Sequence, residues 1–436
     1  MHYLVENTDQ FSKLEVAEQA YVRLIAGNDS CHPLLDNPSL VYYNAGTKGY
    51  ILCIKHSETF GISFEKVRKF LAKHKRIYVC DKKYHSYFLD FSNIIDVNFT
   101  LLDCENEINP TDHKTRVHHD FYAKYYEDFN LNCLVPVAKH YETCESEYNA
   151  ISQYMGKESN TQFLDKMIAA YKFVEEQGIG VDPECIHKTH PIKCTHHSMI
   201  GSKVLTYYNL YNLTCRPTNS FNGINFLAIP KEGEYRKCFV ADNYFVEFDF
   251  DAYHPRLIAK LIGYEFPSNE LSVHSYMAKH YFGTEVITED QYSESKTLTF
   301  KQLYGGVQRK YQHIPFLKAT AEYTEKTFEI YKLNGGYHLP TGRYLKYSDE
   351  MTAVKLFNYV IQNMETYENV NKILEVQEYL TGTNTKLVMI TYDSFLFDFD
   401  PEDGKETLVR IKEIMEQGGM KVKYKYGETY SFYENK

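Results

Sequence analysis

Two hydrophobic periods meet between Tyr244 and Gly263, in the stretch YFVEFDFDAYHPRLIAKLIG. Val246, Phe248 and Phe250 alternate with Glu247, Asp249 and Asp251, so a strand here puts aromatic residues on one face and carboxylates on the other. Beyond Pro255 the spacing becomes helical: Leu257, Ile258, Leu261 and Ile262 form one stripe, and Gly263 ends it. Carboxylates crowded on a strand repel one another and lose solvation. Such a face is either the solvated side of an edge strand or the seat of a hard divalent cation with oxygen ligands.

The same two periods lay out the rest of the chain. Residues 39–56 read as a hairpin, two runs rich in Val, Tyr and Ile around a turn with Gly46 and Gly49. Phe64, Val67, Phe70 and Leu71 then recur at helical spacing after Ser63 as N-cap, and RIYVCD is a short buried strand. This first part, to about residue 130, is a mixed α/β unit without a Gly-rich phosphate loop or a metal motif. Residues 143–178 are mostly helical, with Phe163, Met167, Ala170, Tyr171 and Val174 as the apolar stripe and Gly178 as C-cap.

Past the acidic strand, a helix near LSVHSYMAKHYFG carries His274, and another, EDQYSESKTLTFKQLYGG, sets Tyr292, Lys296, Phe300 and Tyr304 on one ridge before Gly305 and Gly306. Aromatic ridges are ordinarily core. A lysine within one is also a way to hold a phosphate beside a base or sugar. KLVMITYDSFLFDFD reads as a hairpin with its turn at Asp393 and Ser394, ETLVRIKEIMEQGG as a helix, and MKVKYKYGETYSF as a last strand of alternating apolar and basic residues. The C-terminal half is thus a small antiparallel sheet with helices on one side. Asp249 and Asp393, on neighbouring strands, would suit a two-metal site for in-line displacement at phosphorus.

Composition narrows the classes. With 436 residues and 43% apolar content the chain can build about two or three domains around real cores. A net charge of -10 argues against a protein that grips nucleic acid by bulk electrostatics, so any such binding uses local patches. The 10 cysteines are scattered, as reduced thiols would be. No window is apolar for long enough to span a bilayer, and the start MHYLVENTDQ is not a signal peptide, so a soluble, intracellular protein is expected. Cys185, His187, His190, Cys194, His196 and His197 lie close together; they form either a zinc site or, as the irregular spacing and Pro191 favour, a plain solvated loop.

The order of acidic strand, His-bearing helix, Lys-Phe-Tyr-Gly helix and Asp hairpin resembles the polymerase domain of family A DNA polymerases, the DNA polymerase I type. DFDAYHPRLIAKL resembles the family's first catalytic motif, with its Arg at Arg256. SKTLTFKQLYGG resembles the K-x-x-x-F-x-x-x-Y-G helix through Lys296, Phe300, Tyr304 and Gly305, and TYDSFLFD takes the place of the final His-Asp-Glu hairpin. VHSYMAKHYFG, GRYLKY, FNYVIQN and TCRPTNSFNGINFLAIP resemble further segments, which supply His274, a basic stretch, Asn358 with Gln362, and Arg216. The resemblance runs from about residue 205 to the C-terminus, about half of the chain.

The resemblance implies an α/β (α+β) fold of the right-hand polymerase type, with an antiparallel-sheet palm, helical fingers and a shortened thumb. Residues 1–130 would be a vestigial exonuclease-like α/β domain, 131–215 the thumb, and 216–436 palm and fingers, with the fingers at about 266–345. It implies a DNA-directed DNA polymerase in replication or repair, with two Mg²⁺ ions (Mn²⁺ as an alternative) held by Asp249, Asp393 and the Phe250 carbonyl. Lys296 would pair with the phosphates and His274 assist. Phe300 would lie near the sugar, Tyr304 at the templating base pair, and Arg216, Arg256, Asn358 and Gln362 at the nucleic acid. Partners would be primer-template DNA and deoxynucleoside triphosphates, with a short thumb implying low processivity or a processivity factor. The protein would be a monomer off the membrane, in the cytoplasm or, if phage-encoded, the host cytoplasm.

Departures from the pattern mark what does not carry over. An Arg one turn before the motif lysine is Tyr292, so its charge is missing or comes from elsewhere, with Arg309 and Lys310 as candidates. The Glu that excludes ribose is His254, which leaves sugar selection open. Tyr392 and Ser394 flank Asp393, and a serine there is similar to single-subunit RNA polymerases, whereas Phe300 and Arg256 favour the DNA enzymes. The N-terminal part resembles a 3′-5′ exonuclease domain in rhythm, but Val5, Glu6 and Asn7 stand where Asp-x-Glu is expected and His85 where a metal-binding Asp is. Proofreading is therefore not expected; an unrelated α/β domain is the alternative. Functional readings are a DNA polymerase, a relative with relaxed sugar choice for RNA synthesis, primer making or repair, and a catalytically dead nucleic-acid-binding protein.

Overall fold

The computed structural model describes residues 3–27, 32–46, 48–107, 135–157, 159, 161–189, 199–219, 224–230, 233–267 and 272–432. The chain divides into two compact units, Met1–Ile168 with Gly178–Tyr211 and Asn219–Asn225, and Ala169–Gln177 with Asn212–Thr218 and Phe226–Lys436. The stretch 131–215, expected as a shortened thumb, is thus shared between both units. His190, Cys194, His196 and His197 lie outside the described residues, and Cys185 and His187 sit on a short helix, Pro183–Thr189.

In the first unit, strands β1 (Leu4–Val5), β2 (Gln19–Ala26), β3 (Pro38–Asn44), β4 (Gly49–Cys53), β5 (Arg76–Val79) and β6 (Ile94–Asp96) form one sheet in the order β1-β4-β3-β2-β5-β6. The expected hairpin is β3–β4, antiparallel from Asn44 opposite Gly49 to Leu40 opposite Cys53, while β5 and β6 run parallel to β2. These strands are mostly apolar because both faces are covered. Helix α1 (Phe64–Leu71), capped as expected by Ser63, buries Val67, Phe70 and Leu71 against Val22, Leu24 and Val79. On the other face Tyr21, Tyr42 and Ile51 meet α2 (Val137–Ile151), whose buried Glu147 accepts from the Tyr21 hydroxyl and pairs with Arg23 at 3.8 Å.

Val5, Glu6 and Asn7 fall at the margin of this sheet, where Asn7 caps the turn Thr8–Phe11, so the position compared with Asp-x-Glu is an edge. The interior strand β2 carries no carboxylate. His85 is a buried cross-link: its Nε2 accepts from the Leu24 N–H at 3.1 Å and its Nδ1 lies 2.8 Å from the Asp81 carbonyl.

Helix α3 (Thr161–Glu175) carries the expected stripe, with Phe163, Met167, Ala170, Tyr171 and Val174 buried, and Gly178 at φ +62° follows it. The second unit is built on β7 (Val240–Phe250) and its continuation α4 (Tyr253–Ile262), closed by Gly263 at φ +67°. Three more helices follow, α5 (Val273–Phe282), α6 (Glu289–Gly305, with a capping box from Thr288 and Gln291) and α7 (Pro315–Leu333). They share a core of Ile258, Met277, Leu303, Phe316 and Leu317 with Phe357 of the long helix α8 (Ala353–Leu380). A hairpin of β8 (Lys386–Thr391) and β9 (Ser394–Phe399), helix α9 (Lys405–Glu416) and strand β10 (Val422–Thr429) complete the unit. The sheet order is β8-β9-β7-β10, all antiparallel. The acidic strand β7 is therefore interior, flanked on both sides, rather than a solvated edge. On β10 the expected alternation does not bury its aromatics: Tyr424 and Tyr426 are 60% and 70% exposed. Among the described residues no helix is long and apolar enough to cross a membrane.

Burial, with Arg23 nearby, pushes the His85 pKa down to about 3. Free histidine titrates at about 6.5, so below that pH the unfolded chain binds a proton that the folded one refuses, and stability falls as pH drops toward 3. The urea midpoint of the first unit should fall between pH 7 and 4.5, and His85→Gln should flatten that slope by up to about 1.4 kcal/mol per pH unit. An unchanged slope in the variant would contradict this account.

Candidate active site

Strand pairing brings the two aspartates together. Asp249 on β7 lies opposite Ser394, the first residue of β9, and the Phe250 N–H donates to the Asp393 carbonyl at 2.9 Å. The turn of the hairpin is Tyr392–Asp393 rather than Asp393–Ser394, which leaves Asp393 at the tip as expected. In an antiparallel ladder a residue's N–H and C=O point to the same side, so the Phe250 carbonyl is turned toward Asp393. Tyr392 stands at φ +57°, an unfavourable region for a bulky side chain. Its surroundings impose that angle: Arg216 lies over its ring at 3.6 Å, and Asn369 Nδ2 donates to its carbonyl at 2.8 Å.

The carboxylates of the acidic strand have separate fates. Glu247 is buried and accepts from the Tyr430 hydroxyl at 3.0 Å and the Ser394 hydroxyl at 3.3 Å. Asp251 is paired with Lys423 at 2.6 Å and Arg256 at 3.6 Å. Burial works to raise the Asp251 pKa, but the Lys423 and Arg256 charges outweigh it and hold it below the ordinary value. Asp393 is exposed at the tip, yet the protein around it displaces enough water that, with the nearby Glu365, its pKa is raised against the pull of His254 and Arg216. A carboxyl in those surroundings gains most from a neighbouring cation.

The ridge on α6 faces this sheet end with its charge outward. Lys296 is exposed and makes no ion pair among the described residues. Phe300 stacks on Tyr304 at 6.0 Å, and the His274 ring packs against Phe300 at 6.0 Å and Tyr292 at 5.9 Å. His274 is buried, its Nδ1 has no hydrogen-bond partner among the described residues, and burial together with the Lys296 charge pushes its pKa down to about 4. It is a neutral ring at pH 7. Arg309 and Lys310 follow the far end of α6, about 20 Å from Tyr292 at 1.5 Å per residue, so neither occupies the Tyr292 position.

Behind the ridge, His254 Nδ1 contacts the Tyr304 hydroxyl, and Nε2 lies 2.6 Å from Glu365 of α8. Glu365, only 2% exposed, also receives Arg216 through Nε at 3.1 Å and Nη2 at 3.0 Å. Asn358, two turns earlier on the same face of α8, donates to the Tyr304 carbonyl at 3.0 Å and keeps a buried Oδ1 without a partner among the described residues, while Gln362 between them is half-buried. Glu365, Asn369 and Lys423 were absent from the residues expected at the site. The spacing of Asn358, Gln362, Glu365 and Asn369 along one helical face was the signal that could have found the first two.

Among the described residues no group of three or more His, Cys, Asp or Glu converges as a metal cage. Two carboxylates and a backbone oxygen nevertheless fit the way Mg²⁺ is held, by one or two carboxylates with substrate phosphates and water completing its shell.

The sequence matches no family model, and none of the curated proteins matches it. The fold does have a solved counterpart: the POL domain of Pol1 from M. smegmatis, in complex with DNA primer-template and dNTP. It superposes with a TM-score of 0.65 at 11% identity, over 97% of this chain and 98% of that one. The chain therefore has the mixed α/β, right-hand fold of a polymerase domain.

The Lys296 charge is among the causes that depress His274. By NMR, His274 should titrate near 4 in the wild type, and Lys296→Met should raise that value. A His274 pKa that does not rise in the variant would refute the described electrostatics.

Proposed function

We propose that this chain is a template-directed DNA polymerase that adds deoxynucleotides to a primer 3′-hydroxyl and does not proofread. The reading is carried by one observation, the meeting of Asp249 and Asp393 at the end of an antiparallel sheet in a chain with a polymerase-domain fold. Asp249, Asp393 and the Phe250 carbonyl would hold two Mg²⁺ ions, which when bound lower the pKa of the primer hydroxyl and neutralise the triphosphate and leaving pyrophosphate. Lys296, exposed and unpaired with acid, pairs with the phosphates. His274, neutral and with an unused Nδ1, offers a hydrogen bond rather than a charge. Phe300 packs near the sugar, and Tyr304 lies at the templating pair. Arg216, Arg256 and Gln362 contact primer-template DNA, with Asn358 keeping Tyr304 in place.

The N-terminal unit supports the absence of proofreading, since β2 carries no carboxylate and His85 is spent on a backbone hydrogen bond. Hydrolysis assisted by metal ions needs carboxylate ligands. A second reading, a polymerase with relaxed sugar choice, is favoured by His254, which replaces a carboxylate and is engaged with Tyr304 and Glu365.

Extension of a labelled primer-template with Mg²⁺ and deoxynucleotides tests the proposal. Asp249→Ala and Asp393→Ala should each reduce extension at least about a thousandfold, because charge and position supply most of the catalysis in phosphoryl transfer. A wild-type protein that binds the duplex yet extends nothing would leave a binding protein with a polymerase fold.

A further inference from the structure

The central strand β7 has an acid on one side and a cation on the other. In the sheet order β8-β9-β7-β10, the β8–β9 hairpin brings Asp393 to one flank of Asp249, and β10 brings Lys423 to the other. Asp249 and Lys423 lie directly opposite each other in the ladder. Opposite residues project to the same face of a sheet, as do residues two apart on a strand, so Lys423 stands on the face of Asp249 and Asp251. Asp251 holds it there at 2.6 Å, yet the lysine side chain is 69% exposed. Arg256 lies 3.6 Å from the same carboxylate and also donates from Nε to the Asp251 carbonyl at 2.9 Å. One carboxylate between two cations leaves a surplus of positive charge.

Helix α6 borders the same ground. Its Ser295 hydroxyl donates to the His274 carbonyl at 2.8 Å, and its Tyr292 ring packs on the His274 ring at 5.9 Å. After burial and Lys296, the charges of Lys423 and Arg256 also act to lower the His274 pKa, against Asp251. Three elements thus bring cations to one end of the sheet: Lys296 on α6, Arg256 on α4 and Lys423 on β10. The ridge Tyr292, Lys296, Phe300 and Tyr304 supplies a single charge, and a triphosphate carries several. In-line displacement expels the leaving group on the side away from the attacking oxygen. Beside Asp393 the nearest guanidinium, Arg216, is spent on the buried Glu365. The β10 flank is the one with charge to spare.

We propose that Lys423 is a triphosphate-binding residue: Asp251 holds its ammonium ready beside Asp249, and the β- and γ-phosphates of an incoming nucleotide take it over while Arg256 keeps Asp251. The proposal rests on the polymerase reading and deepens it by naming the strand that receives the phosphate tail. Lys423 supplies charge and hydrogen bonds and gives up no proton.

The test is calorimetric binding of inorganic tripolyphosphate to the full chain, with Mg²⁺ in excess, beside KM for dATP in single-nucleotide extension of a primer-template. Wild type, Lys423→Met, Lys423→Arg, Asp251→Asn and the double variant of Asp251→Asn with Lys423→Met are compared, with melting temperature as the check on folding. Lys423→Met should weaken tripolyphosphate and raise KM about tenfold, the low end for a hydrogen bond to a charged group because this lysine is open to solvent. Lys423→Arg should keep most of the affinity. The double variant separates contact from neutralisation: it should stay about tenfold weaker than Asp251→Asn, the same loss as in the wild-type background. Equal affinity in those two variants would mean that Lys423 only cancels Asp251, and would overturn the proposal. So would a loss confined to primer-template affinity, which would assign Lys423 to the nucleic-acid backbone. Extension by the wild type with KM unmoved in Lys423→Met removes this proposal alone. A wild type that binds tripolyphosphate through Lys423 yet extends nothing removes the polymerase reading and leaves the phosphate site standing.

Discussion

The pairing of Asp249 with Ser394 fixes what the C-terminal sheet can present to a ligand. A slip of one residue would send every side chain of β7 to the opposite face, and the carboxylates would change places with Val246, Phe248 and Phe250. Hydrophobic burial holds the register. Phe248 lies opposite Phe395 and Val246 opposite Phe397, all four buried, and the Phe248 and Phe397 rings meet edge to face at 5.8 Å. Each such side chain contributes about 1.5–3 kcal/mol when buried. Like charges about 4 Å apart repel by about 4 kcal/mol at an effective dielectric constant of 20. Several aromatics outweigh that repulsion, so the sheet can hold its acids close before any cation arrives.

Around this register the long helix α8 acts as a template. Asn358, Gln362, Glu365 and Asn369 share one face, and three of them tie down other elements of the unit. Asn358 holds the end of α6, Glu365 holds Arg216 and the start of α4, and Asn369 holds Tyr253 and the hairpin tip. Buried polar groups require partners, which gives this face a specificity that an apolar stripe would lack. Glu365 is the demanding member, because a buried carboxylate is stable only with its charge answered.

Whatever depends on near neighbours in sequence could be read from the chain. The cap at Ser63, the stripe on α3, the helix stop at Gly263, the ridge on α6 and the hairpin that carries Asp393 follow from periods of 3.6 and 2 and from the chemistry of glycine. What depended on distant partners was hidden. Arg216 and Glu365 are 149 residues apart, and Glu247 and Tyr430 are 183 apart. Nothing local says that Lys423 will answer Asp251, or that an acidic strand flanked on both sides will be interior. The apolar faces of the helices in 131–215 likewise do not declare which unit they will cover.

The far-reaching pairs have a consequence for synthesis. Lys423 and Tyr430, which answer Asp251 and Glu247, belong to residues made only after the rest of this sheet. During translation, at about 5–20 residues per second, the acidic strand and the aspartate hairpin wait for their counter-charges and for one flank of β7. A chain stopped before residue 422 would expose that flank as a strand edge, with its unpaired backbone groups and its aromatic side open to association. The sheet that gathers the acids is therefore incomplete, and open to association, until β10 has been made.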